Sequence, residues 1–412
     1  MPVAVAVSVG LTLQPDEEFL ERTRVLLDRV DYAEVAPETL WRKKAGAVVD
    51  NGFCDAIAGI VDDAGIFAVA HGVGFSLGAC DDDDDRVAVW QEQLRRNHAR
   101  FGFAWMSDHG GLTTTAGLHL ALPIAAPAST ARAVATRRKL SFFKDLCGAG
   151  AVETSALPFR HRGEDRGGRG DDAALYAASV DGDDGLGVVL DVHNLYTMAQ
   201  NLNVDDAHWI DDYLSRLDPR SVVEIHVSGG ADSDVGWLPG QRTVRLDSHD
   251  DDVPDAVFDL LARIAPRCPR LRGVTLERME GTVLSDDDVK ALDAELARIK
   301  EILALPPQTP WTQHKVALRD DEEEFDDAAY ARAVIDGSVE ADNDDGVRVA
   351  ALLIAKLRFE RLQSGSNDAA AEFDDDAAAF VARFKRYHAT VPPTAWNPVD
   401  EAALWSAFRS RA

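Results

Sequence analysis

Cysteine is scarce. The 412-residue chain has four, Cys54, Cys80, Cys147 and Cys268, far apart and with no CxxC pair. That argues against both a disulfide framework and a thiolate zinc site. No uninterrupted apolar run approaches the length of a bilayer crossing, and the opening MPVAVAVSVG lacks the basic start and cleavage site of a secretory signal. The expectation is a soluble, cytoplasmic protein with no membrane partner. Positive charge is also short: 43 Lys and Arg stand against 71 Asp and Glu, for a formal net charge of -28. Such a surface repels phosphate backbones, so nucleic acid is not expected as a partner. Acidic runs such as CDDDDDR and DSHDDDVPD read as solvated loops and helix N-termini, where carboxylates sit favourably against the helix dipole.

What the chain does have is a recurring short apolar run. VAVAVSVG (3-10), DYAEVA (31-36), FAVAHG (67-72), FGFAWM (101-106), GAVETS (150-155), GVVLDV (187-192), VVEIHV (222-227) and GVTLER (273-278) read as strands, and most intervals between them carry a helical pattern. PDEEFLERTRVLLDRV places Phe19, Leu20, Leu26, Leu27 and Val30 near one face, and Ser285 with Asp288 reads as a capping box opening a helix. Eight strands alternating with helices predict an α/β fold, a (β/α)8 TIM-type barrel over residues 1-304, with an open doubly wound sheet as the alternative. LPPQTPWTQ then marks a linker over 305-320. Residues 321-412, including DDGVRVAALLIAKLRFERL, read as a small C-terminal helical domain. His314 before it and His388 within it belong to no ligand-like cluster.

The barrel is favoured because of how the runs end. Six of the eight finish in or just before a residue able to bind metal or move protons: His71, Asp108 with His109, Glu153, Asp191 with His193 and Asn194, His226, and Glu277. In a closed barrel the C-terminal strand ends share one mouth, so residues distant in sequence become neighbours. RLDSHD adds Asp247 and His249, two apart and thus on one side of an extended segment. Gathered together, these imidazoles and carboxylates are too many for one ion, and their like charges repel unless cations lie between them. A multinuclear centre of iron, zinc or manganese follows, with ligand type alone not choosing among the three.

VGLTL, AEVAPETLW, HGVGFSLG, SDHGG, VET, LDVHNLYTMAQN, EIHVSGG, LDSHD and TLER, in that order over about residues 8-278, resemble the multinuclear non-heme iron-dependent oxidative enzymes, a former domain of unknown function typified by the methanobactin biosynthesis enzyme. The resemblance implies a barrel with two or three iron ions at its mouth, in mixed-valence Fe(II)/Fe(III) form. It also implies dioxygen as co-substrate and oxidation of a ribosomally made precursor peptide, often at cysteine. By motif it implies His71, His109, Glu153, Asp191, Asn194, His226, Asp247, His249 and Glu277 as metal ligands, with Glu153 bridging two irons. His193 is kept beside Asn194, because strand alternation and the family pattern disagree about which of the two faces the metal. Many relatives work with a separate peptide-recognition protein, a second expected partner. Three positions depart from the pattern: Thr154 for Asn, Gly230 for a second His, and Met279 for an acidic residue. The alternatives are another metal-dependent barrel enzyme, an isomerase or a trinuclear zinc phosphodiesterase, or a metal-loaded protein that escorts a peptide without altering it.

Overall fold

Alternation within the apolar runs decides the fold. In the computed structural model, which describes residues 6-80, 84-124, 127-156, 159, 172-202, 206-318, 325-341 and 343-411, eight parallel strands form a closed barrel. They are β1 (Ser8–Leu13), β2 (Tyr32–Val35), β3 (Phe67–Gly72), β4 (Met106–His109), β5 (Gly150–Glu153), β6 (Leu186–Asp191), β7 (Val222–Val227) and β8 (Gly273–Leu276). Because β1 pairs with both β2 and β8, the sheet has no edge, and the open doubly wound alternative is excluded. One set of side chains, including Leu11, Ala33, Ala70, Val152, Leu190, Ile225 and Val274, joins the core beneath the surrounding helices. The other set fills the lumen. Tyr32 and Val69 plug its lower end with Trp105 and Ala149, and Ala151, Val189 and Val223 form a further layer.

The helices around the barrel are α1 (Glu17–Thr23), α2 (Phe53–Ala64), α3 (Asp84–Phe101), α4 (Thr130–Cys147), α5 (Asp172–Val180), α6 (Val192–Leu202), α7 (Asp206–Arg216), α8 (Asp255–Ile264) and α9 (Asp286–Leu303). The first helical pattern divides in two, α1 continuing as a 3-10 turn over Arg24–Arg29. At α9 the capping box is present: Ser285 Oγ accepts from the Asp288 backbone N–H at 3.3 Å and the Asp288 carboxylate from that of Ser285 at 2.8 Å. Two strands lie later than the apolar runs suggest. The first is Ser8–Leu13, and the start of its expected run (3-5) is outside the described residues. The fourth is Met106–His109, because the aromatics of FGFAWM are taken up by packing before the strand begins, Phe101 stacked on Phe103 with ring centroids 5.1 Å apart in the outer core and Trp105 in the lumen plug, while the polar SDH continues the wall. Two hairpins were not foreseen: Trp41–Lys44 with Ala47–Asp50, and Leu112–Thr115 with Leu118–Ile124.

Past α9 the chain follows the barrel. Trp311 Nε1 donates to Leu217 O at 2.9 Å, and the His314 backbone N–H to Ser215 O at 2.6 Å. The junction at 319-324 lies outside the described residues. Helices α10 (Asp327–Ile335), α11 (Asp344–Gly365), α12 (Asn367–Asp375), α13 (Ala377–Thr390) and α14 (Pro398–Arg409) follow. Leu362, Phe380, Phe384, Tyr387 and Trp405 form their distal core. His388 stacks on Phe384, and burial, reinforced by Arg358, pushes its pKa down to about 4, so it is a neutral packing residue. Among the described residues no helix is long and apolar enough to cross a membrane.

Tyr32 needs two glycines. A Cβ at Gly10 would lie 2.2 Å from its ring, and one at Gly273 2.5 Å from its hydroxyl. Gly59, on α2, has open space at the same position. Gly10→Ala is therefore expected to destabilise the protein by about 1 to 3 kcal/mol, as overpacking does. Gly59→Ala is expected to stabilise it by about 0.5 to 1 kcal/mol through helix propensity. Chemical denaturation of the two variants checks the opposite signs.

Candidate metal centre

The strand registers assemble the site. His109 lies opposite Glu153, and Asp191 opposite His226. Since alternate residues share a face, Glu34, His71, His109, Glu153, Asp191, His226 and Glu277 meet in the upper lumen, with Glu224 one layer below His226. Glu153 is central. Its Oε2 lies 2.9 Å from His109 Nδ1 and 3.2 Å from His71 Nε2, while its Oε1 lies 3.1 Å from His226 Nδ1. Glu277 Oε2 is 3.4 Å from the same His226 nitrogen. On the rim Asp247 Oδ1 and His249 Nε2 are 2.7 Å apart. His249 adopts φ 51°, a left-handed conformation costly for a residue with a Cβ.

Four groups have ligand atoms all within 4.8 Å of one another: Glu34, His71 and His226; His71, His109 and Glu153; Glu153, Asp191, His226 and Glu277; and Asp191, Asp247 and His249. They share members, so the last three run as a chain from His71 to His249 through Glu153 and Asp191. Among the described residues, every ion pair these carboxylates make is with a histidine. Yet many of the atoms that face one another lack hydrogen-bond geometry. Glu34 Oε2, His71 Nε2, Glu153 Oε2, Asp191 Oδ2, Asn194 Oδ1, His226 Nε2 and Glu277 Oε2 are all buried without a hydrogen-bond partner. So many orphaned donor atoms at one place are costly in a protein alone and fit a donor set for cations.

The electrostatics agree. Burial raises the Asp191 pKa well above the ordinary carboxyl value, and Asp247, Glu277 and Glu153 push it further. Burial also raises Glu277, against the opposing His226 and His249. Glu153 goes the other way: burial would raise it, but His109 and His71 outweigh burial and hold it well below. For His226 and His249 burial favours the neutral ring, yet Glu277 and Glu34 around the first, and Asp247 and Glu277 around the second, carry their pKa values well above the usual. The shifts at Asp191, Glu277, His226 and His249 all favour the protonated forms, and bound cations would displace those protons.

A model of the RiPP precursor modification enzymes MbnB/TglH/ChrH matches residues 6-304. The chain belongs to that family. A UPF0276 protein of Caulobacter vibrioides is 30% identical over 243 residues, spanning 57% of this chain and 76% of the relative. One from Bordetella parapertussis is 30% identical over 241 residues, 57% and 74%. Among solved structures, endonuclease IV from Thermus thermophilus aligns over 71% of this chain and 99% of its own at 18% identity and a TM-score of 0.42. D-psicose 3-epimerase from Clostridium cellulolyticum aligns over 73% and 100%, at 12% identity and 0.44.

The ten residues named from the sequence as candidate metal ligands lie in or against this cluster, in different ways. Strand alternation does not reach His193 and Asn194, because α6 begins at Val192, directly after the strand. His193 is outside the four groups: its Nδ1 is 3.3 Å from Asp247 Oδ1 and its Nε2 3.4 Å from Thr197 Oγ1. Burial, partly opposed by Asp247, lowers its pKa. Asn194 sits against Asp191, whose Oδ1 accepts from its backbone N–H at 2.8 Å, and its own Nδ2 donates to Thr154 O at 3.0 Å. Asp108 points away from His109 and accepts from the Phe75 backbone N–H at 3.1 Å.

The three departures also have places. Thr154 Oγ1 accepts from the Asp191 backbone N–H at 3.0 Å, tying β5 to the end of β6. A Cβ at Gly230 would lie 2.4 Å from Leu246 O and 3.0 Å from His193 Cε1, so a second histidine has no room there. The Met279 backbone N–H donates to His249 O at 2.9 Å, a contact independent of its side chain.

Two buried carboxylates escaped the sequence reading. Glu34 Oε2 is 3.1 Å from His226 Nε2. Glu224 Oε1 is 3.8 Å from the same nitrogen and accepts from Tyr32 Oη at 3.0 Å and Thr275 Oγ1 at 2.8 Å, while its Oε2 accepts from Trp105 Nε1 at 2.6 Å. The signal was available: Glu34 interrupts the apolar DYAEVA, and Glu224 stands two before His226, hence on its face of the strand.

Metal added to metal-free protein is expected to raise its melting temperature, by the equivalent of about 2.7 kcal/mol at a hundredfold excess over Kd. Asp191→Asn and Glu277→Gln replace carboxyl groups whose ionised form is disfavoured by burial and, at Asp191, by acidic neighbours, so they should match or exceed the metal-free wild type in stability and lose most of the shift; thermal unfolding with and without metal reads both. Glu34→Gln should keep the fold by circular dichroism and weaken metal binding roughly ten- to a hundredfold, as loss of a group orienting a ligand histidine does.

Proposed function

We propose that this chain oxidises a ribosomally made precursor peptide in the cytoplasm, using two or three iron ions and dioxygen. The observation that carries this reading is the two-sided placement of Glu153, whose oxygens face different imidazoles, His109 and His71 on one and His226 on the other. That is the arrangement a carboxylate bridging two ions requires. One ion would be held by His71, His109 and Glu153, a second by Glu153, Asp191, His226 and Glu277, and a third by Asp191, Asp247 and His249, with Asn194 Oδ1 beside Asp191 as a further donor. Bound iron would supply one-electron redox chemistry with dioxygen.

The chain's own residues set orientation and access. Ser107 Oγ, 2.9 Å from His71 Nδ1, fixes that ring so that Nε2 faces Glu153. Glu34 on Nε2 of His226 leaves Nδ1 toward Glu153 and Glu277. His193 braces Asp247 rather than joining the donor set. Asp247 and His249 are the half-buried members, so the peptide would approach from their side of the mouth. Glu153, Asp191 and His226 lie deeper, where water is excluded from the reacting centre.

The test is the mass of a candidate precursor peptide, taken from a short reading frame adjoining the gene, after incubation with anaerobically iron-loaded protein. A mass change under air and none under argon is the expected result. Equal conversion without dioxygen, or with zinc alone, would indicate a different metal-dependent enzyme; tight binding with no mass change would indicate an escort.

A further inference from the structure

The loop after His71 is held from outside the barrel. Lys139 Nζ, on α4, donates to Ser76 O and Ala79 O, both at 2.7 Å, and Thr136 Oγ1 donates to Leu77 O at 3.1 Å. Ser76 Oγ accepts from the backbone N–H groups of Thr113 and Thr114, and the Gly78 N–H donates to Gly111 O at 2.9 Å. The loop following His71 and the hairpin following His109 are therefore one hydrogen-bonded unit. Its outer fastening is Arg132, 1% exposed, whose guanidinium donates to Gly78 O and meets the Asp327 carboxylate at 2.7 Å. The other Asp327 oxygen accepts from the Cys80 backbone N–H at 3.2 Å. Asp327 opens α10, where the helix N-terminus favours a carboxylate.

The contact is wider than one ion pair. Ala79, Leu112, Leu118, Leu120 and Ile124 share a core with residues of α10 and α11, including Tyr330, Val334 and Ile354. Farther round the mouth, Val349 packs on Leu238 and Val244, and Arg242 pairs with Asp345 at 2.8 Å, on the segment that leads to Asp247 and His249. The loop after His71, the hairpin after His109 and the segment that leads to Asp247 and His249 are thus all backed by helices that lie beyond the family match at 304.

We propose that Asp327 is a positioning residue of the metal centre: through Arg132 and Cys80 it fixes the loops that follow His71 and His109, and so the strand ends that present these two rings in ligand geometry. The C-terminal segment is on this account a structural part of the active site. The proposal rests on reading the centre as a metal site.

The experiment is anaerobic titration of ferrous iron into full-length wild type, Asp327→Ala, Asp327→Asn and Phe408→Ala, the last loosening only the distal helical core, combined with hydrogen exchange followed by mass spectrometry. Asp327→Ala should bind iron at least tenfold more weakly or hold one ion fewer per chain. Exchange should quicken in 75-80 and 112-124 while β6 and β7 stay protected, and Phe408→Ala should bind as wild type does. If Asp327→Ala does not fold, Asp327→Asn, which keeps an acceptor and loses the charge, decides by the same criteria. Wild-type affinity and stoichiometry in a folded Asp327 variant, or an equal loss in Phe408→Ala, would overturn the proposal. Wild type that binds no iron would instead overturn the metal-centre reading beneath it.

Discussion

Concentrated negative charge in a place that water barely reaches is the constraint on which the rest of this structure depends. Glu34, Glu153, Asp191, Glu224 and Glu277 are buried together around His71, His109 and His226, with Asp247 and His249 at the rim. A single buried carboxylate is tolerated only when paired, and several are tolerated only when positive charge lies between them. Without metal, the upward shifts at His226 and His249 favour positive rings, and those at Asp191 and Glu277 favour neutral carboxyl groups. The scaffold must be stable enough to keep them together. The closed barrel, the outward apolar core and the plug around Tyr32 supply that stability.

The barrel also converts period into chemistry. Each strand places one face against the helices and the other in the lumen, so a residue pair such as Glu224 and His226, or Thr275 and Glu277, contributes one group to the lower layer and one to the mouth. The lower layer is then more than filling. Tyr32, Trp105 and Thr275 all donate to Glu224, which leaves that carboxylate held against the far side of His226. Ring orientation at the mouth is in this way set from below.

Much of this was legible in the sequence. An apolar run ending in His or a carboxylate says that the chain leaves a buried wall at a functional rim, and the ordered motifs gave the family. What was not legible had physical causes. Glu34 interrupts an apolar strand, which marks it, but the sequence does not say that it reaches His226, 192 positions on. The aromatic FGFAWM outweighed MSDH as a strand because a polar strand looks like a loop until the cluster that justifies it is known. The choice between His193 and Asn194 turned on an abrupt strand-to-helix change at residue 192, where a two-residue period no longer applies. Arg132 and Asp327 are 195 positions apart, beyond the reach of any local pattern.

The central claim concerns where cations sit, and it is tested most directly by anomalous diffraction at the iron edge from crystals of protein loaded with ferrous iron under argon. The account predicts at least two iron peaks on either side of the Glu153 carboxylate, one within ligand distance of His71 and His109 and one within ligand distance of His226 and Asp191. Iron confined to surface carboxylates, with none in contact with Glu153, would contradict it.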